Sequence, residues 1–151
     1  MNEVLMYTDG SLRPGGIGGW SCLLILPNHR WVLYCDRVKD TTINRMELMA
    51  MYRGLSALDQ PAKVLIISDS QYAVNCINSW IELWRKKNWV NSQGKPVSNL
   101  DLLQKLDQLI QRHQVKARWI KAHTNRQGID YLGNDCVDWF AQHKTAKLTH
   151  R

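Results

Sequence analysis

The chain has 151 residues and a mass of 17.5 kDa, enough for one domain with a single sizeable core, and its 44% hydrophobic and 22% charged residues are ordinary for a globular protein. No stretch nears the ~20 consecutive apolar residues that a membrane-crossing helix needs. MNEVLMYTDG lacks the basic region of a secretory signal, and Cys22, Cys35, Cys76 and Cys136 form no CxxC pair, so a cytoplasmic protein with reduced thiols is expected rather than a zinc knuckle or a disulfide framework.

In chain order, Val4–Thr8 reads as a short apolar strand ended by the turn signal Asp9-Gly10-Ser11. A Gly-rich loop, Pro14 to Gly19, precedes two apolar runs, Trp20–Leu26 and Trp31–Val38. Joined by Pro27-Asn28-His29-Arg30, these make a hairpin, so the first three strands form an antiparallel meander. A helix is predicted from about Ile43 to Leu58. Lys63–Ser68 is a continuous apolar run rich in β-branched residues, the pattern of a strand buried on both faces. Helices follow at Gln71–Lys87 and Leu100–His113, then a fifth strand at Val115–Ile120 and a last helix at Leu132–Lys147. Strands first and a β/α alternation afterwards predict an α/β domain over residues 1–151, a mixed sheet with helices on its faces.

The net charge of +7 is concentrated in Arg85, Lys86, Lys87 and Lys95 and again in Lys144, Lys147 and Arg151, which suits a polyanion such as nucleic acid. Four of the 13 acidic residues stand where a merely solvated charge would not. Asp9 ends the first strand and Asp69 ends the fourth, and in an open α/β sheet the carboxyl ends of neighbouring strands share a crevice. Each also has an ordinary explanation: Asp9 can build the turn with Gly10, and Asp69 can cap the next helix. Glu47 resists such an account. Its helical stripe is Ala50, Met51, Gly54 and Leu58, so it lies on the face that meets the sheet, where a carboxylate is costly unless a cation or hydrogen bonds compensate it. Asp138 stands at the edge of the buried stripe of the last helix. Four carboxylates converging without His or Cys clusters favour a hard cation, Mg²⁺ or Mn²⁺, over zinc.

YTDGS around Asp9, TTINRMELMA around Glu47, SDSQYAV around Asp69, the KAH of Lys121–His123 and the GN…D of Gly133-Asn134…Asp138 resemble the type 1 ribonuclease H of bacteria, in its order and at about its spacings, from Val4 to about Ala141. The resemblance implies a five-stranded mixed sheet of order 3-2-1-4-5, the second strand antiparallel, flanked by helices. It also implies a monomeric endonuclease that hydrolyses the RNA strand of RNA–DNA hybrids with two Mg²⁺ ions, Mn²⁺ being able to substitute, and leaves 5′-phosphate and 3′-hydroxyl ends. Asp9 would bridge both metals, Asp138 would complete the site that activates water, and Glu47 and Asp69 would bind the metal facing the leaving oxygen. Asp135 is the accessory neighbour of Asp138. His123 matches the family's loop histidine, which assists proton transfer or product departure.

Trp80 to Asn99 resembles the family's basic protrusion, with Trp80, Trp84 and Trp89 interleaved with Arg85, Lys86 and Lys87, a composition suited to a strand tracked along its phosphates and sugars. The ordinary alternative, favoured for Trp80, is that the tryptophans pack the helix while the basic residues face water. Thr42 and Asn99 match the family's DNA-phosphate pocket, and Gly10, Ser11, Asn44 and Gln71 match positions near the minor-groove face of the RNA. Three departures stand out: Ile43 replaces the family's asparagine, SLRPGG is a shortened loop, and HTNRQGIDYLGN is about five residues longer than usual. The first two touch recognition of the hybrid, the third touches the placement of His123, and none removes a carboxylate. Two rival readings share the motifs, namely another nuclease of the same fold and a non-catalytic hybrid-binding module.

Overall fold

The computed structural model describes residues 2–122, 128–143 and 146–150. The elements are β1 (Asn2–Arg13), β2 (Ile17–Ile25), a 3-10 turn (Pro27–His29), β3 (Trp31–Val38), α1 (Ile43–Ser56), β4 (Ala62–Ser68), α2 (Gln71–Asn75), a π-helical turn (Cys76–Trp80), α3 (Ile81–Lys86), α4 (Leu100–Arg112), β5 (Gln114–Trp119), α5 (Ile129–His143) and β6 (Ala146–His150). The sheet order is β5-β4-β1-β2-β3-β6. The expected 3-2-1-4-5 arrangement is therefore present, with β2 antiparallel to β1 and β3, and β4 parallel to β1 and β5.

A sixth strand was not expected. The last helix stops at His143 rather than reaching Lys147, and β6 pairs antiparallel with β3, from Cys35↔Ala146 to Trp31↔His150. The open backbone edge of β3 offers a ladder that five residues of no marked periodicity can join, a tertiary effect their own pattern does not announce.

The first strand is also longer than its motif suggested. Asp9-Gly10-Ser11 is not a turn: β1 continues to Arg13, and the chain reverses only at Pro14-Gly15-Gly16. Both glycines there have positive φ, 91° and 81°, which a side chain would resist. Strand β1 is held on both sides only as far as Tyr7, the last residue paired to β4. From Thr8↔Cys22 to Arg13↔Ile17 it is held by β2 alone. The sheet thus splits just before Asp9.

One face of the sheet carries the main core, where Val4, Met6, Val64 and Ile66 meet Leu48, Met51 and Leu55 of α1 and Leu102, Leu103 and Leu106 of α4. The other face carries a smaller cluster of Tyr7, Leu33, Ile67, Ile120 and Val137, the last from α5. Because α5 covers only the end of that face nearest Asp9, β4 is not buried on both sides throughout. Leu65 remains 36% exposed, and a depression of about 850 Å³ lies over Leu5, Ile25, Leu65 and Val115.

The predicted helix Gln71–Lys87 contains the π turn, just where Asn78 reaches the outer edge of β5. Its amide donates to the carbonyl of Ala117 at 2.8 Å and accepts from that residue's N–H at 2.9 Å. A side chain thus closes part of an edge that no strand among the described residues covers.

Candidate active site

Three elements bring carboxylates together at the split in the sheet. Asp9 and Glu47 are 3% and 5% exposed, Asp69 is half-buried, and each offers one carboxylate oxygen within 4.8 Å of the others. Gly10 explains how β1 and α1 come so close: a Cβ there would stand 2.6 Å from the backbone nitrogen of Glu47, so only glycine permits the approach. Its N–H donates to Asp9 Oδ1 at 2.9 Å. On α1, Ala50, Met51 and Gly54 are buried along with Glu47, as the stripe required, and the helix is capped by Thr42, whose hydroxyl accepts from the Arg45 N–H at 3.2 Å. The helix after Asp69 is capped by Ser70, whose hydroxyl accepts from the Ala73 N–H at 3.1 Å, so capping does not account for Asp69.

Asp138 comes from α5, on the other side of Asp9. It is half-buried and its carboxyl is within hydrogen-bonding reach of Asp9, whereas Asp135 faces solvent. Gln142, one helical turn on, donates to Asp138 Oδ1 at 3.1 Å. Gln142 is itself located by two arginines, Arg13 of β1 and Arg37 of β3, which both donate to its backbone carbonyl. The Ser11 hydroxyl donates to the carbonyl of Ala141 at 2.7 Å, and Ser21 donates to that of Val137. Sequence reasoning missed Gln142, although its spacing from Asp138 was a usable signal.

Electrostatics set this cluster apart. Burial pushes the Asp9 carboxyl far above the usual range, and the nearby charges of Glu47, Asp69 and Asp138 push the same way. Glu47 is raised first by burial and then by Asp69, against the lowering effect of hydrogen bonds from Asp9 and the Gly10 backbone. Among the described residues, Glu47 Oε2 is buried with no hydrogen-bond partner. An orphaned carboxylate oxygen inside a like-charged, all-oxygen group fits a hard divalent cation, which would satisfy that atom and offset the repulsion.

The expected substrate contacts divide. Thr42 and Asn99 are brought into one neighbourhood by Arg45, whose guanidinium donates to Asn99 Oδ1 at 3.4 Å and pairs in two-pronged fashion with Asp101 at 2.9 and 2.8 Å. Arg45 was not singled out from sequence. Asn99 also donates to the Tyr72 hydroxyl at 3.0 Å and holds φ 63°. Asn44 and Gln71 are exposed, Ser11 is half-buried, and Gly10 is buried in the close approach just described. Trp80, Trp84 and Trp89 are half-buried against the main core, with the Trp80 and Trp84 rings 5.7 Å apart. Arg85 is tied to Asp107 of α4 at 2.8 Å and Lys86 to Glu82 at 3.2 Å, so two of the three basic residues have carboxylate partners. Lys87 lies in a groove of about 210 Å³ with Trp84 and Asn91. His123 lies outside the described residues.

The sequence matches the family model for RNase H over residues 1–146. It is 43% identical over 135 residues to the ribonuclease H of Stutzerimonas stutzeri, covering 87% of this chain and 89% of that one. It is 42% identical over 142 residues to that of Hydrogenovibrio crunogenus, covering 91% and 97%. Among solved structures, the PFV RNase H domain superposes with a TM-score of 0.79 at 22% identity, covering 93% of both chains. The foamy viral protease-reverse transcriptase in complex with an RNA/DNA hybrid superposes with a TM-score of 0.74 at 17% identity, covering 93% of this chain and 19% of that one.

Proposed function

The chain belongs to the ribonuclease H family, and from that premise we propose that it cleaves the RNA strand of RNA–DNA hybrids by a two-metal-ion mechanism, leaving 5′-phosphate and 3′-hydroxyl ends. As a family member it is an endoribonuclease. The observation that carries the finer reading is the meeting of Asp9, Glu47 and Asp69 within 4.8 Å, with Glu47 Oε2 buried and unpartnered among the described residues. The donor set fits Mg²⁺, with Mn²⁺ able to substitute, and Asp9, Glu47, Asp69 and Asp138 would hold the ions. A bound pair supplies the positive charge that stabilises the attacking and leaving oxygens of an in-line displacement.

The chain's own groups do the rest. Asp9 stands between Glu47 and Asp138 and shares its carboxylate with both sides of the site. Asp138, on the more open side, is placed to orient the attacking water, and Gln142 fixes its carboxylate. Glu47 and Asp69 serve the side of the leaving 3′ oxygen, and His123 assists proton transfer or product departure. On the DNA strand, Thr42, Arg45 and Asn99 receive a phosphate. Trp84 and Lys87 extend the track, with Trp80, Arg85, Lys86 and Trp89 supporting it. Gly10, Ser11, Asn44 and Gln71 face the RNA minor groove, where the 2′-hydroxyl separates RNA from DNA. With Ile43 in place of an asparagine, a hydrogen bond to a base edge is lost, which loosens selectivity for the hybrid without touching the carboxylates that cleave it.

Cleavage assays on hybrid, RNA duplex and DNA duplex, each with Mg²⁺ and with Mn²⁺, test this directly. Metal-dependent cutting of the hybrid RNA strand with 3′-hydroxyl products is expected. Preferential cutting of DNA duplex, or hybrid binding without turnover, would replace the reading with one of its rivals.

A further inference from the structure

We propose that Asp130 is a positioning residue of the active site, a strap that fixes the first turn of α5 to the sheet and thereby sets the place of Asp138. The proposal rests on the reading of Asp138 as part of the catalytic group.

Both oxygens of the Asp130 carboxylate are engaged. The Tyr7 hydroxyl donates to one at 2.9 Å, and the Arg118 guanidinium pairs with the other. Tyr7 belongs to β1 and Arg118 to β5, with β4 lying between them in the sheet, so one side chain ties the helix to two strands across a third. Tyr7 is fully buried and stands two residues before Asp9, on the same face of the strand. Its ring also meets Gly133, where a Cβ would stand 2.6 Å away, so the first turns of α5 lie directly on it. Asp130 and Asp138 are eight residues apart on that helix, about 12 Å along its axis at ~1.5 Å per residue.

The same helix thus carries the strap near its start and the carboxylate near its middle, and Tyr7 and Asp9 repeat that pairing on β1. The rest of α5 is held separately, by Ser21 at the Val137 carbonyl and by Ser11, Arg13 and Arg37 beyond it. Cutting the strap would leave the helix anchored from Val137 onward and its first turns free to shift, tilting Asp138 relative to Asp9. Asp130 lies in HTNRQGIDYLGN, one of the three stretches in which this chain departs from the pattern it resembles.

The test measures kcat and KM for hybrid cleavage, together with Mn²⁺ affinity by calorimetry, in Asp130→Ala, Asp130→Asn and Tyr7→Phe, well below each melting temperature. Asp130→Ala is expected to lower kcat about tenfold, since small misplacements of reacting groups cost up to ~10²-fold, with KM unchanged and Mn²⁺ bound more weakly. Asp130→Asn keeps an acceptor for Tyr7 and should fall between. Tyr7→Phe should move kcat in the same direction, and combined with Asp130→Ala it should add nothing further. A lowered melting temperature with wild-type kcat and Mn²⁺ affinity would overturn the proposal, as would a raised KM with kcat intact. If Asp130→Ala does not fold, a wild-type kcat in Tyr7→Phe overturns it alone. A wild-type protein that fails to cut hybrid would instead sink the functional reading.

Discussion

Asp9 and Glu47 on one side of the centre and Asp138 on the other meet the same demand by different means. The first two are placed by burial: β1 and α1 approach through Gly10, and water is excluded on both sides. Asp138 is placed by polar contacts instead, on a helix gripped at one end by Asp130 and at the other by Ser11, Arg13 and Arg37. Burial gives rigidity but raises the proton affinity of the carboxyls, so a cation must displace protons to bind there. Polar clamping keeps a carboxylate near water, where it can meet a nucleophile, but its position is only as firm as the side chains that hold it.

The contrast can be broken most directly at Asp9. Asp9→Asn should lower cleavage by about three orders of magnitude or more, because it removes the group shared by both halves. Its effect on the fold should be the opposite. In the metal-free protein, folded Asp9 and Glu47 retain protons that the unfolded chain releases in the ordinary carboxylate range. At these two groups the folded state binds more protons, so their contribution to stability is greatest in acid and declines as pH rises from that range through neutrality. Thermal melts in a chelator should show this decline for the native chain and a flatter profile with a higher melting temperature at pH 8 for Asp9→Asn. A steeper decline in the variant would contradict the burial account.

Asp138→Asn should cost less, about 10²-fold in kcat, since a half-exposed site admits water in place of the lost oxygen. An effect equal to that of Asp9→Asn would erase the distinction between the two halves. Gln142→Leu should lower kcat by about threefold to tenfold with an unchanged melting temperature, because it frees the carboxylate without disturbing the clamp on the backbone carbonyl. The smallest effect belongs to the protrusion. Lys87→Ala should weaken hybrid binding a few-fold and reduce the salt slope of log Kd by about one, while leaving kcat alone.

Legibility in the sequence followed the same division. Glu47 was readable from periodicity alone, since a charge among Ala50, Met51 and Gly54 has to be buried. The core strands were readable as apolar runs, although β4 is covered on both faces only towards Asp69 and leaves Leu65 partly exposed. Asp9 was found for a partly mistaken reason: Asp9-Gly10-Ser11 looks like a turn, but Gly10 serves a close helix approach within a continuing strand. That difference is set by residues in α1, far along the chain. The ties on Asp138 were not readable, because Arg13, Arg37 and Ser11 are ordinary surface residues until the fold brings them to one helix end. Arg85 carries a second tie that composition did not announce: read as a nucleic-acid contact, it also pairs with a buried Asp107. Strand β6 was invisible because its partner edge, not its composition, makes it a strand.

That last strand bears on how the protein behaves when crowded. Without it, β3 would present a row of unsatisfied amides and carbonyls alongside Val32 and Leu33, a template on which a second molecule could extend the sheet. With it, the exposed edge is a short run, Ala146–His150, that contains a lysine, and the opposite edge at β5 is partly closed by Asn78. Both borders of the sheet are thus made poorer templates for open-ended association, one by a short strand and the other by a side chain.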